Sequence, residues 1–433
     1  MTAARCDAIV IGAGVIGAAV ALELQRAGRD VIVVDKAAAV GAATTSSSAA
    51  VVRFNFSTRD GVIASWEAMH QWADWAGHLG PIDEPLARYH RVGMLFFQAP
   101  GYDRSIIAAF YDELGIVHEM LDPAELASRF PALDVGRYFP PRSPDDPHFF
   151  DDADGVIGGW WTPDAGFVDD PQLAASNLMA AARREGTVVR LRTEVTAIRR
   201  SDGRIAGVDL PGGDTIDAPV VVNCAGPWSA RINQLAGVDQ LMRMTTRSLR
   251  QEIHAVAAPP GFGVEDGGAG VGDFDLGIYF RPHPGGTMLV GGIEAECDHL
   301  EWDEDPDTDA VGPSVQAWEA QVYRLARRLP ALQVPHRPVG IASHYDVTPD
   351  WVPIYDRSAV DGYYTAIGTS GNQFKNAPLV GQIMTTLIDA CEGGHEHDVD
   401  PVRFHCAHTA TELNLGHYSR NREPAATSGT VSG

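Results

Sequence analysis

The sequence predicts an α/β protein that opens on a nucleotide-binding βαβ unit, and three observations carry that prediction. A short β-branched apolar run from Asp7 to Ile11 meets Gly12, Gly14 and Gly17. A pattern rich in Ala and Leu then runs with helical period from Val15 to about Arg26 and stops at Gly28. A second buried-strand run, Val31 to Val34, ends on Asp35, 18 residues after Gly17. In such a unit Gly12 makes the tight turn, Gly14 lets a pyrophosphate approach the backbone beside Val15 and Ile16, and Gly17 packs helix on strand. Asp35, with Lys36 next to it, then accepts from ribose hydroxyls. The motif implies a bound dinucleotide and does not distinguish NAD from FAD.

The next segment bears on that distinction. Thr44, Thr45, Ser46, Ser47 and Ser48 form a hydroxyl-rich stretch before an apolar step and Arg53. An extended FAD needs donors for its pyrophosphate and ribityl chain, which Ser and Thr supply; a solvated polar loop is the plainer reading.

Further on, Pro171 precedes a helical pattern from Leu173 to about Glu185, and Val188 to Arg192 and Glu194 to Arg199 read as strands, with Val195 among them. Val220 to Asn223 is another buried strand, ending on the small residues Ala225 and Gly226 ahead of Trp228, where backbone can pack against a cofactor. Tyr363 to Ile367 is a strand, Gly368 to Ala377 a loop, and Pro378 opens a helix to about Ala390. The positive end of that helix faces whatever lies beside Gly371, Asn372, Gln373, Phe374 and Lys375, either a flavin ring or an anionic substrate group.

Composition limits the partners. The 433 residues carry 57 acids against 33 bases, a formal charge of -24, which argues against nucleic acid. Two acidic stretches, Asp145 to Asp154 and Glu294 to Asp309, hold much of the surplus and read as solvated loops. Of the basic residues only Lys36 and Lys375 are lysines. The five cysteines, Cys6, Cys224, Cys297, Cys391 and Cys406, are scattered without metal-ligand spacing, so they read as reduced thiols. No signal peptide and no bilayer-length apolar run is found, and a cytoplasmic protein that engages no membrane is expected. His395 to Asp398 reads as a solvated loop, so no metal is expected. The sequence leaves the oligomeric state open.

Taken in order, GAGVIGAAVALEL with Asp35, TTSSSAAVVR, WWTPDAGFVDDP, VVNCAGPWS, YFRPHPGGTMLVGG, YDVTPDWVPI and GTSGNQFKNAPLVG resemble the D-amino-acid oxidase and sarcosine oxidase family of FAD enzymes, from about Asp7 to Ala390. The resemblance implies an α/β + α architecture. A Rossmann-type FAD-binding domain is assembled from discontinuous segments near 1–88, 166–235 and 336–405. A second, substrate domain built on a large, mostly antiparallel sheet takes 89–165 and 236–335, and 406–433 is a C-terminal tail, partly disordered.

The implied activity is oxidation of the C–N bond of an amino acid or N-alkyl amino acid, with hydride passing to flavin N5. The resulting imine hydrolyses, and the electrons go to molecular oxygen or another acceptor. Arg53 and Lys375 match the pair that grips a substrate carboxylate in monomeric sarcosine oxidase, and Tyr345 a substrate-facing tyrosine. Ser343 stands where that enzyme attaches its flavin through cysteine, and Ser46 to Ser48 where relatives use histidine, so noncovalent FAD is expected. The oxygen-activating lysine aligns approximately with Leu289 and a substrate histidine with Ile293; His283 or Arg281 then supplies the positive charge, or oxygen is not the acceptor. The alternatives are a same-fold flavoprotein acting on an uncharged or cyclic amine, a non-catalytic FAD-binding accessory subunit, and a nicotinamide-dependent dehydrogenase.

Overall fold

Ala8–Ile11, Val31–Val34 and Val220–Asn223 are apolar at every position, which suits strands covered on both faces. They form the centre of a six-stranded sheet in the order Val188–Arg190, Val31–Val34, Ala8–Ile11, Val220–Asn223, Tyr363–Ile367, Ile354–Arg357, with only the last strand antiparallel to its neighbour. Because side chains alternate, Ala8, Val10, Val31 and Val33 meet the helices on one face. Ile9, Ile11, Ile32 and Val34 meet Ile198, Ile205, Val208 and Ile216 of a four-stranded sheet on the other. Helix Val15–Arg26 packs between helices Pro171–Glu185 and Ala377–Glu392. A Cβ on Gly381 would stand 2.4 Å from the Ala19 carbonyl oxygen, so glycine sets how closely helix Ala377–Glu392 crosses helix Val15–Arg26. This computed structural model describes residues 4–100, 102, 104–303, 305–307 and 312–433.

The second sheet has nine strands, and all pairs are antiparallel except Met94–Phe97 with Gly270–Asp273. Helix Val315–Arg328 buries Trp318, Val322 and Leu325 against Phe280, Met288 and Val290 on one face of it. The expected architecture, a dinucleotide-type α/β unit beside a large antiparallel sheet, is what the chain forms.

Several expectations change. Strand Gly340–Val347 pairs along its length with Arg247–Ala257 in the large sheet, so residues after 336 join the cofactor-side sheet only beyond Val347. The segment after Arg422, expected to be disordered in part, is packed: Thr430, Val431 and Ser432 are buried. The acidic stretch from Glu294 is not wholly solvated, since Glu294 is partly buried and Asp307 is engaged by three donors; residues 304 and 308–311 of it lie outside the described residues, as do residues 1–3 of the N-terminus. His397 is buried rather than in a solvated loop, lying 3.4 Å from Asp356, and Asp398 pairs with Arg420. Among the described residues, no helix is long and apolar enough to cross a membrane.

Candidate functional site

The turn at Gly12 fixes one end of the site. Its φ is +110°, and a Cβ there would lie 2.3 Å from the Cys224 carbonyl oxygen, so only glycine fits. Gly17 acts through packing, because its Cβ would meet the Gly12 carbonyl oxygen at 2.0 Å; it is not part of the cavity wall. Gly14 caps helix Val15–Arg26 without a side-chain hydrogen bond, and Val15 N–H donates to Thr45 Oγ1 at 3.1 Å. The rest of that first turn presents unpaired N–H groups and the positive helix end, a seat for an anion such as a pyrophosphate.

From this turn a cavity of about 840 Å³ runs between the two sheets. That is near the upper end of the roughly 300 to 1,000 Å³ range of small-molecule sites. Val15, Ile16, Asp35, Lys36, Thr44, Thr45, Ser47, Ser48, Val195, Ala225, Gly226 and Trp228 line it, together with Gly371 to Lys375, Arg53 and Tyr345. Asp35 accepts from Ala13 N at 2.6 Å and from Ala37 N at 2.7 Å, which orients its carboxylate at the cavity edge. Lys36 pairs with Asp307 and lies 4.3 Å from the Trp228 ring centroid, while Trp228 Nε1 and Arg231 donate to the same carboxylate. Lys36 therefore closes this end by way of Asp307.

Besides Gly17, two expected residues fall outside the wall. Ser46 turns its hydroxyl back onto the Ala43 carbonyl at 2.8 Å, because the chain runs through successive turns there. His283 stands four residues beyond the lining residue Tyr279 on strand Ile278–His283, roughly 13 Å further along. Its neighbour Arg281 is buried and turned to the Ala49 carbonyl at 2.6 Å and to the Phe167 ring at 4.0 Å. Leu289 lies opposite Arg281 on the adjacent strand, whereas Ile293 and Ser343 reach the cavity.

The far end holds the charged groups. Arg53 and Lys375 are 7% and 3% exposed, and both lie against the Phe56 ring, at 4.9 and 5.0 Å from its centroid. Burial pushes the Arg53 guanidinium down to about 10. Burial, and then the charge of Arg53, holds Lys375 well below the ordinary lysine range. Arg53 donates to the Asn55 carbonyl at 2.7 Å, to Asn55 Oδ1 at 3.2 Å and to the Val431 carbonyl at 2.6 Å. The loop carrying Lys375 is fixed by buried Asp346, which accepts from Gly368 N at 2.6 Å and from the Thr369 hydroxyl, and by Trp72 Nε1, which donates to the Lys375 carbonyl. Helix Ala377–Glu392 then starts on Asn376 without a side-chain cap, so its N-terminus points back at this loop.

Tyr279 and Tyr345 lie in the same wall beside the cations; burial raises both, Tyr279 to about 12. The Tyr345 ring lies against Gly371, where a Cβ would come within 2.4 Å of it. Met94, Phe96, Gly272 and Ile293 make the apolar side of this end. Glu294 accepts from Gln251 Nε2 at 3.1 Å and from Val431 N at 2.7 Å, and burial pushes its carboxyl up to about 8. Sequence reasoning missed Tyr279, Glu294, Asp307, Val431 and Ser432. No local pattern marks any of them, since Tyr279 sits in a six-residue strand that also carries Phe280, Arg281 and His283.

The residues fit FAD: a helix N-terminus with open N–H groups, a glycine cradle, hydroxyls along the wall and a cationic far end. A family model described as FAD dependent oxidoreductase (DAO) matches residues 7–387. The mitochondrial sarcosine dehydrogenase of Mus musculus is 27% identical over 326 residues, covering 72% of this chain and 32% of that protein, so the chain spans about a third of that relative's length. L-proline dehydrogenase from P. horikoshii superposes with a TM-score of 0.75 at 22% identity, covering 97% of this chain and 98% of that one. Glycine oxidase from Geobacillus kaustophilus gives 0.72 at 21%, covering 97% and 99%. At such identities the two structures establish the fold alone.

Proposed function

The chain belongs to the DAO family of FAD-dependent oxidoreductases, and on that premise we propose that it oxidises the C–N bond of an amino acid or N-alkyl amino acid. The observation that carries the reading is the pair of buried cations, Arg53 and Lys375, at one end of the cofactor-sized cavity. Both donate only to uncharged oxygens, Arg53 to Asn55 and Val431 and Lys375 to the Asn372 carbonyl, and a substrate carboxylate would supply the neutralising charge that these do not. FAD, when bound, supplies the two-electron acceptor that takes hydride from the carbon bearing nitrogen and leaves an imine for water to hydrolyse.

The protein's part is binding and protonation state. Gly12 to Ile16, Asp35, the Thr44–Ser48 loop, Val195, Ala225, Gly226 and Trp228 would hold the dinucleotide, with Ser46 supporting the loop from behind. Arg53 and Lys375 would fix the carboxylate, and their charge would lower the pKa of the substrate amine so that its lone pair is free. Tyr279 and Tyr345, which line the same cavity, would offer hydroxyls to a substrate held there. Ser343 on the wall cannot form a thioether, which supports noncovalent FAD. Five free cysteines, three of them buried, support a reducing compartment such as the cytoplasm.

One observation favours a second reading, an uncharged or cyclic amine as substrate: Arg53 already donates to Asn55 and Val431. The two readings separate when the FAD-loaded protein is mixed anaerobically with D-, L- and N-methyl amino acids and, in parallel, with the matching decarboxylated amines. Loss of flavin colour with the acids alone supports the first; loss with the amines alone overturns it. Readmitting air then shows whether oxygen takes the electrons.

A further inference from the structure

The segment after Arg422 enters the substrate end from the side. Its base is fixed by Arg422, which donates to both oxygens of buried Asp350 at 2.9 and 2.8 Å and to the Val352 carbonyl at 2.6 Å. Ala425 N also reaches Asp350, and Thr427 Oγ1 donates to the Asp350 carbonyl at 2.8 Å. Beyond that point the residues are small, and their polar groups bond mainly among themselves: Ser428 with Thr430, and Ser432 N with Thr430 Oγ1. Two residues bond outside the segment: the Gly433 carbonyl accepts from Ser57 Oγ at 2.7 Å, and Val431 is held at both ends. Its carbonyl accepts from Arg53 at 2.6 Å while its N–H donates to Glu294 at 2.7 Å, so a cation and an acid hold the two ends of one residue.

An α-amino acid has the same N–Cα–C skeleton as that residue, with an amine in place of the N–H and a carboxylate in place of the carbonyl. The peptide carbonyl offers Arg53 a partial charge, whereas the carboxylate of a free amino acid offers a full one, and charge-assisted hydrogen bonds are roughly twice as strong as neutral ones; a neutral amine keeps an N–H for Glu294. We propose that Val431 is an internal stand-in for the substrate, filling the Arg53–Glu294 subsite until an α-amino acid displaces it. This rests on the carboxylate reading of Arg53 and adds Glu294 as the partner of the substrate amine. The segment stays tethered through Arg422 and Asp350, so only residues 428–433 need to move. It also accounts for a buried arginine that is both cavity-lining and partly occupied.

The test uses the full FAD-loaded protein, a variant lacking residues 425–433, and Val431→Pro, which removes the N–H that Glu294 accepts while also fixing φ and replacing the valine side chain. Acetate is the probe, read by perturbation of the flavin absorbance. Displacement predicts that the shortened variant binds acetate at least tenfold more tightly than the parent, and Val431→Pro more tightly by a smaller factor. In the parent, saturating acetate should speed hydrogen exchange at the Val431 and Ser432 amides. Equal or weaker acetate binding in both variants, or unchanged or slowed exchange at those amides, overturns the proposal and makes the segment a fixed wall. Acetate that perturbs the flavin of none of the three proteins overturns the carboxylate reading itself.

Discussion

Arg53→Ala is the perturbation with the clearest expected size. The guanidinium is 7% exposed, and burial outweighs the charges around it in lowering its pKa. Truncating one partner of a buried charged contact costs about 2 to 5 kcal/mol. The structure selects the lower half of that range. Lys375 is depressed by burial and by Arg53, so removing Arg53 returns Lys375 towards its ordinary value and leaves one cation for the carboxylate. A fall in kcat/KM of roughly 30- to 300-fold, about 2 to 3.5 kcal/mol, is therefore expected for a carboxylate substrate, mostly through KM. Two of the Arg53 hydrogen bonds hold Asn55, so some loss is structural. Steady-state kinetics with the acid and with its decarboxylated amine, in parent and variant, separates the parts, since only the carboxylate term differs between the two substrates. An equal fall for both compounds would refute the anchor role and leave Arg53 as a brace for Asn55 and Val431.

Other outcomes follow from the same geometry. Gly12→Ala places a methyl 2.3 Å from the Cys224 carbonyl oxygen at a φ of +110°, so the variant should purify with little FAD and a lowered Tm; full flavin content and an unchanged melt would contradict the turn's role. Precipitation with acid should leave the flavin in the supernatant, and flavin that stays with the protein would contradict noncovalent binding. The carboxyl of Glu294 is raised from an ordinary 4.5 to about 8 in the fold, so its contribution to stability is fully present below about pH 4.5 and is lost as pH rises through about 8. Glu294→Gln should therefore flatten the decline of unfolding free energy across that window, by up to about 1.4 kcal/mol per pH unit. A slope identical to the parent's would show that this carboxyl is not held in its acid form.

The opening unit was legible because its causes are local. A glycine that must take φ of +110°, a helix that starts on the next residues and a four-valine-and-isoleucine strand ending at Asp35 are all written within one short stretch, and Val15–Arg26 and Val31–Val34 form as read. Helix Pro171–Glu185 begins slightly earlier than its apolar period suggests, because Asp170 caps it by accepting from Leu173 N at 2.8 Å and proline suits the first turn. The segment after Arg422 misled for the opposite reason. Its small polar composition matches disorder, while its order comes from Asp350 and Glu294, 75 and 137 residues away along the chain. His397 was hidden similarly, since Asp356 buries it from a separate strand. Strand Gly340–Val347 carries no local mark of which sheet it joins; its pairing with Arg247–Ala257 decides that.

A crystal structure of the FAD-loaded protein with acetate bound tests the central claim most directly, that the Arg53–Lys375 end of the cofactor cavity is the site of a substrate carboxylate. The account predicts acetate oxygens within hydrogen-bond distance of Arg53 and Lys375, with the Val431 carbonyl moved off Arg53. Acetate bound elsewhere, with Arg53 still donating to Asn55 and Val431 as it does here, would contradict it.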